Sequence, residues 1–236
     1  MSGSSFPPNY SVPAAIGADA RVSAFLRSVY GWMFFGLAVT AVVAMSVASS
    51  PSIVNALVAN RLLFFGLIAA QLGLVFFLSA RVASIAPSTA ALLFIGYSGL
   101  TGVTLSMILL AYTGASIANA FVVSAGMFGA LALYGTTTKT SLAHWGSFLF
   151  MGLVGVVLAS VVGLFWQNDT MQFVIGIVGV IVFTGLTAYD AQRLKAMALA
   201  LPEGREGSYA ISGALSLYLN FINLFLSLLR LMGNRR

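Results

Sequence analysis

Apolar positions in this chain come in long unbroken blocks, with no alternating pattern and no soluble domain between them. Seven blocks near 20 residues stand out, at 29–49, 62–80, 89–111, 115–135, 145–166, 171–191 and 210–232. Each is long enough, at ~1.5 Å per residue, to carry a helix across ~30 Å of hydrocarbon. The second is the sharpest, because Arg61 and Arg81 bracket it. The third and fourth nearly touch at Tyr112-Thr113-Gly114. The pattern predicts an all-α membrane protein, a single domain of seven transmembrane helices over residues 21–236. Met1–Asp19 is rich in Ser, Pro, Gly and Ala and lacks the basic start and apolar core of a signal peptide. Residues 1–20 therefore read as a disordered tail.

Composition narrows the possible functions. Only 7% of the 236 residues are charged, against roughly 25% in soluble chains, and mean hydropathy is +1.01. With Cys 0 and His 1, disulfides, thiolate metal sites, cysteine nucleophiles and multi-histidine metal sites are all excluded. The net charge of +6 is scattered, not gathered into the basic face that nucleic acid requires. No enzyme activity and no resident cofactor are expected, and the first partner is the lipid bilayer. Gly96, Gly99, Gly102, Gly126 and Gly129 are expected to let neighbouring helices approach closely.

The last block carries the clearest polar pattern. Gly213, Ser216, Asn220, Asn223, Ser227 and Arg230 recur at spacings of 3, 4, 3, 4 and 3, one continuous stripe on a helix. Unpaired amides and hydroxyls in lipid cost several kcal/mol, so the stripe must face other helices or water. That places this helix centrally, its stripe against a core or a pore. Asp190, near the end of the sixth block, is the one serious intramembrane carboxylate, with Arg193 at i+3 as a partner. Gln71 lies midway between Arg61 and Arg81, near the bilayer midplane, where an interhelical hydrogen bond is the ordinary role. Tyr97, Ser98, Thr101 and Thr104 give the third block a milder polar face. Gly96-Tyr97-Ser98-Gly99 has the form of an intramembrane serine protease motif, with His144 as the conceivable base. Depth separates the two: Ser98 lies well inside its helix and His144 at a mouth, whereas proton transfer needs about 3 Å.

Loop charges bear on orientation. With the N-terminus inside, Arg21, Arg27, Arg81, Lys139, Arg193, Lys195 and Arg205 lie inside; Arg61, Arg230, Arg235 and Arg236 lie outside. The tally favours an inside N-terminus, while the basic C-terminus opposes it. A re-entrant last segment would remove the conflict, so both arrangements stay open at this point.

Two C-terminal motifs carry a resemblance. Thr187-Ala188-Tyr189-Asp190-Ala191-Gln192-Arg193-Leu194-Lys195 is similar to the end of the sixth helix in the Bax inhibitor-1 family, the transmembrane Bax-inhibitor-motif proteins. Leu217-Tyr218-Leu219-Asn220-Phe221-Ile222-Asn223-Leu224-Phe225-Leu226, followed by Leu229-Arg230-Leu231-Met232-Gly233-Asn234-Arg235-Arg236, resembles the terminal helix of its bacterial branch. Val29-Tyr30-Gly31-Trp32-Met33 and Ala125-Gly126-Met127-Phe128-Gly129 also resemble bacterial members. The likeness covers nearly everything after Arg21.

The resemblance implies six helices surrounding a central seventh, a bacterial cytoplasmic membrane, and a calcium leak governed by two aspartates. One corresponds to Asp190; at the other's position this chain has Asn220. Two adjacent carboxylates share a proton and report pH, whereas Asn does not titrate and its NH2 donates to an ionised Asp190. Asp190 and Asn220 are therefore expected to latch helices six and seven, with the neutral-pH switch weakened or displaced. Ser216, Asn223 and Gln71 are possible lining of the pathway, and Arg81 and Arg193 possible ion pairs of Asp190. Ca2+ prefers six to eight oxygens, so Asp190 offers at best a weak, transient site. The same resemblance supports a rival: a non-conducting stress-response regulator that binds a membrane protein such as a quality-control protease.

Overall fold

The computed structural model describes residues 14–82, 84–166, 168–202 and 205–236. These form α1 (Ala14–Ala48), α2 (Pro51–Ala59), α3 (Arg61–Arg81), α4 (Pro87–Ala111), α5 (Gly114–Thr137), α6 (Gly146–Phe165), α7 (Asp169–Ala200) and α8 (Glu206–Met232). A single 3-10 turn, Ala143–Trp145, precedes α6. All of these except the nine-residue α2 are long and apolar enough to cross a membrane, giving seven spans among the described residues. Asn60, Thr113 and Asn168 start α3, α5 and α7 by accepting backbone N–H groups that the first turn leaves unpaired.

Two helices exceed their apolar blocks. α7 continues to Ala200, so Asp190 sits ten residues from its end and Arg193 and Lys195 lie on the helix, not in a loop. Hydropathy marks the lipid-spanning part, while Arg, Lys, Gln and Ala carry the helix onward at little cost. Likewise α1 starts at Ala14, so residues 14–20 of the expected tail are helical in an Ala-rich stretch. Residues 1–13 of that tail lie outside the described residues. The two extensions meet where the Arg21 guanidinium donates to the Leu201 carbonyl at 2.9 Å.

α8 is an unbroken helix of 27 residues, ~40 Å long, which removes the re-entrant arrangement. Contacts sort into two faces of the bundle. Arg21 with Leu201, Ser208 with Ile85, and Gln192 with Leu142 mark the N-terminal face. On the C-terminal face the chain end folds onto the α4–α5 link. Thr113 N–H donates to Asn234 O at 3.1 Å, Arg236 N–H to Ala111 O at 3.0 Å and Asn234 N–H to Ser116 Oγ at 2.9 Å.

Burial identifies the centre. Within an 18-residue apolar stretch of each span, 67% of α8 is buried, against 17% for α6 and 6% for α3. α8 packs on α1, α4, α5 and α7 and touches α3. The surround is uneven: α6 lies outside against α7 and reaches α8 where Arg230 bonds Ser160. Glycines make the tight seams, though mostly not the five expected. Of those, only Gly102 meets a neighbour, with Thr40 O 2.7 Å from where its Cβ would sit. Gly135 lies hard against the Ala188 carbonyl, and Gly179 against Ser227 Oγ.

Candidate functional site

Asp190 lies on α7 and Asn220 on α8, and burial brings them together. Asn220 Nδ2 donates to Asp190 Oδ2 at 2.8 Å, with the two residues 5% and 8% exposed. A carboxylate only accepts, so the amide nitrogen must face it. The other oxygen, Oδ1, lies 3.7 Å from Arg193 NH1. Half of the Arg193 side chain is exposed, so this pair is loose and screened, worth about 0–1 kcal/mol. The Asn220 bond is the one that joins two helices. The Gly135–Ala188 contact beside it holds α5 against α7 two residues from Asp190.

The rest of the α7 motif also binds across the bundle. Gln192 Oε1 accepts from Leu142 N at 2.7 Å, and its Nε2 donates to Thr140 O at 2.9 Å, so one side chain holds the α5–α6 link. Lys195 Nζ donates to Thr136 O at 2.8 Å, satisfying a carbonyl in the last turn of α5. Asp190, Gln192 and Lys195 thus tie α7 to α8, to the link and to α5.

The other expected site residues scatter. Asn223 Nδ2 donates to Leu219 O at 2.8 Å on its own helix and is half-buried, as is Ser216. Gln71 Nε2 donates to Leu100 O at 3.1 Å and Thr104 Oγ1 at 3.2 Å, an α3–α4 bond away from Asp190. Arg81 is exposed in the last turn of α3, and the cation paired with Asp190 is Arg193. Ser98 is fully buried and donates to Phe94 O at 2.9 Å, while His144 is exposed in the 3-10 turn.

One polar node escaped the sequence. The Tyr218 hydroxyl and Thr40 Oγ1 lie 2.6 Å apart, and Thr40 Oγ1 donates to Ser98 O at 2.9 Å. Edge-on contacts with Phe94 and Tyr97 enclose the Tyr218 ring at 5.7 and 5.8 Å. The node ties α8 to α1 and α4. Its signal was a lone Thr in the first apolar block and a Tyr inside the last.

The donors around Asp190 suit a carboxylate better than a metal ion. Both oxygens face N–H donors, and no cluster of three metal-binding side chains occurs among the described residues. A cation could reach Asp190 only by displacing Asn220 or Arg193 from its oxygens.

Comparisons agree with the architecture. The family described as "Inhibitor of apoptosis-promoting Bax1" matches residues 22–236. The inner membrane protein YbhL of Escherichia coli (strain K12) is 50% identical over 221 residues, 92% of this chain and 94% of the relative. An uncharacterized protein of Borreliella burgdorferi is 44% identical over 214 residues, 90% of this chain and 92% of the relative. An uncharacterized membrane protein of Streptococcus pyogenes serotype M1 is 34% identical over 218 residues, 92% of this chain and 95% of the relative. With its seven membrane-spanning helices, its buried α7–α8 pair and this match over nearly its whole length, the chain belongs to the Bax inhibitor family of integral membrane proteins.

Proposed function

We propose that the chain is a passive leak pathway for cations, Ca2+ first among them, and neither an enzyme nor a cofactor protein. The observation that carries this reading is the buried Asp190–Asn220 bond between α7 and the central α8. An ionisable side chain kept inside a membrane span is costly and is retained for use. The ion is argued from the family likeness and from the donors: one carboxylate and a few neutral oxygens hold Ca2+ weakly, which suits passage better than storage. The relative YbhL, called an inner membrane protein, supports the same membrane for this chain. The basic residues toward the two faces, seven against four with Arg193 and Lys195 counted on the extended α7, support a cytoplasmic N-terminal face.

The α7–α8 contact acts as a latch sensitive to protonation. Ionised, Asp190 accepts from Asn220 and attracts Arg193. Neutral, it loses the attraction to Arg193 and one oxygen becomes a donor, which weakens the hold on the Asn220 amide. Asn220 adds no proton of its own, so the response to pH is shallower than that of two carboxylates.

Ca2+ efflux from liposomes holding the purified chain tests this. The expected result is a leak that Asp190→Ala alters and that Asn220→Asp makes steeply pH-dependent. Traces from all three proteins that match empty liposomes would overturn it. The reading left standing would be the non-conducting regulator that binds a membrane protein such as a protease.

A further inference from the structure

From Ser212 to Arg230, the half-exposed positions of α8 are Ser212, Ser216, Leu219, Asn223, Leu226 and Arg230; every other residue in that stretch is buried. Their spacings of 4, 3, 4, 3 and 4 make one strip along the helix. It is ~27 Å long, close to the ~30 Å of a hydrocarbon core. So the one accessible side of the central helix runs the depth of the membrane, and four of its six residues are polar. Arg230 closes the strip at the C-terminal face.

The surroundings of Arg230 are unusual for a half-buried cation. Its NH1 donates to Ser160 Oγ on α6 at 3.4 Å, a long bond to a neutral partner. Among the described residues, no carboxylate lies within ion-pair distance of it. The folded-back chain end adds charge on the same face: the Arg235 guanidinium sits 5.9 Å from the centre of the Tyr112 ring, fixed there by the backbone bonds of Asn234 and Arg236. A guanidinium keeps its proton under all ordinary conditions, so this positive charge is permanent.

We propose that Arg230, bridged to Ser160, is a fixed electrostatic barrier at the C-terminal mouth of the α8 strip and sets how fast cations leave or enter there. The inference rests on the cation-pathway reading above. It extends that reading from the Asp190–Asn220 bond near the middle of the strip to its C-terminal end, ten residues or ~15 Å along α8 from Asn220. A barrier made by one fixed charge acts in proportion to the charge of the passing ion. Removing it must therefore favour divalent over monovalent ions, and the divalent factor is the square of the monovalent one. A purely interfacial arginine, snorkelling to headgroups beside the helix's C-terminal dipole, makes no such distinction.

The test measures K+ and Ca2+ efflux separately from liposomes holding the full chain. Arg230→Gln is expected to raise K+ flux about threefold and Ca2+ flux about tenfold, the squared ratio of a single-charge barrier. Arg230→Lys, which keeps the charge, is expected to restore the low rate and the original K+ to Ca2+ ratio. The unmutated chain offers a measurement that no folding defect can spoil. Raising ionic strength with a bulky impermeant cation screens the exposed side of the barrier and is expected to raise Ca2+ flux more than K+ flux.

If Asp190→Ala changes the leak while Arg230→Gln and added salt leave both fluxes as they were, the barrier is overturned and the pathway stands. Equal increases of K+ and Ca2+ flux in Arg230→Gln also overturn it, since they report loosened packing. If neither the unmutated chain nor Asp190→Ala leaks at all, the pathway fails and the barrier fails with it.

Discussion

The Tyr218 hydroxyl lies 2.6 Å from Thr40 Oγ1, while Asn220, two residues further along α8, bonds Asp190. Two residues of helix turn the side chain by about 200°, so the two bonds leave α8 on opposite sides at one level. One ties α8 to α1 and α4; the other ties it to α7. The central helix is pinned across its width near the middle of its length.

Tyr218→Phe removes one side of that pin without opening a cavity. Thr40 still donates to Ser98 O, so the loss is one buried hydrogen bond, about 1 kcal/mol. Thr40→Val loses both bonds and is expected to cost more. The double variant should show a coupling of roughly 0.5–1 kcal/mol, the range for polar pairs between membrane helices. Equilibrium unfolding in detergent measures all three proteins. Strictly additive losses would mean that the 2.6 Å contact contributes nothing as a pair.

Gly135 has no room for a methyl group, because its Cβ would strike the Ala188 carbonyl. Backbone cannot swing aside as a side chain does, so Gly135→Ala must push α5 from α7. The expected cost is roughly 1–3 kcal/mol. The shift falls two residues from Asp190, so the variant should also alter any activity that depends on the α7–α8 bond. Gly31→Ala is the control. Nothing lies within 4 Å of its Cβ, and the gain in helix propensity predicts a change of about 0.5–1 kcal/mol in the stabilising direction. Thermal melting of the two proteins side by side decides it, and an equal effect at both sites would refute the steric argument.

Much of this architecture was legible in the sequence, for a physical reason. Hydrocarbon demands about 20 apolar residues per crossing, and that demand is local, so a single pass along the chain finds the seven spans. The burial of Asn220 was legible too, since its amide would be expensive in lipid, whereas Ser216 and Asn223 of the same stripe lie on the half-exposed side of α8. The limits of α1 and α7 were not, because beyond the bilayer a helix needs no apolar residues. Pairings were the hardest part. Asp190 and Asn220 were matched through family likeness, since 30 positions of chain separate them and no spacing rule connects two helices. The Tyr218–Thr40 contact spans 178 positions, and neither residue breaks its local pattern enough to attract notice. The roles of Gln192 and Lys195 stay hidden because the apolar block ends at residue 191 while the helix that carries both side chains runs on to Ala200.

At the α7–α8 bond, Asp190→Ala and Asn220→Asp should act differently. Asp190→Ala leaves the Asn220 NH2 buried and unpaired, an expected loss of about 1–3 kcal/mol. Asn220→Asp places a second carboxylate about where the 2.8 Å donor stands. Two carboxylates that close cannot both carry charge, so the variant must hold a proton that the unmutated chain does not need. Its stability should be full in mild acid, where that proton is kept, and fall as rising pH strips it away. Melting temperatures taken across the pH range would reveal the slope. A flat profile matching that of the unmutated chain would show that the two side chains part in the variant.

Gln192 offers a test of whether the α7 motif acts beyond Asp190. Its Oε1 accepts from the Leu142 amide and its Nε2 donates to the Thr140 carbonyl, so Gln192→Leu removes both bonds at once. Leu keeps most of the volume and α7 stays helical, which confines the damage to the α5–α6 link. Losing bonds worth about 1–2 kcal/mol should speed exchange of the Leu142 amide by roughly tenfold or more. Amides in the middle of α7 and α8 should keep their protection, since the Asp190–Asn220 bond is untouched. Hydrogen exchange followed by mass spectrometry reads both regions in one experiment. If the link stays protected, the two contacts are redundant with the 3-10 turn. If protection drops throughout α7, then Gln192, Lys195 and Asp190 hold the helix as a unit, and the link is part of the latch.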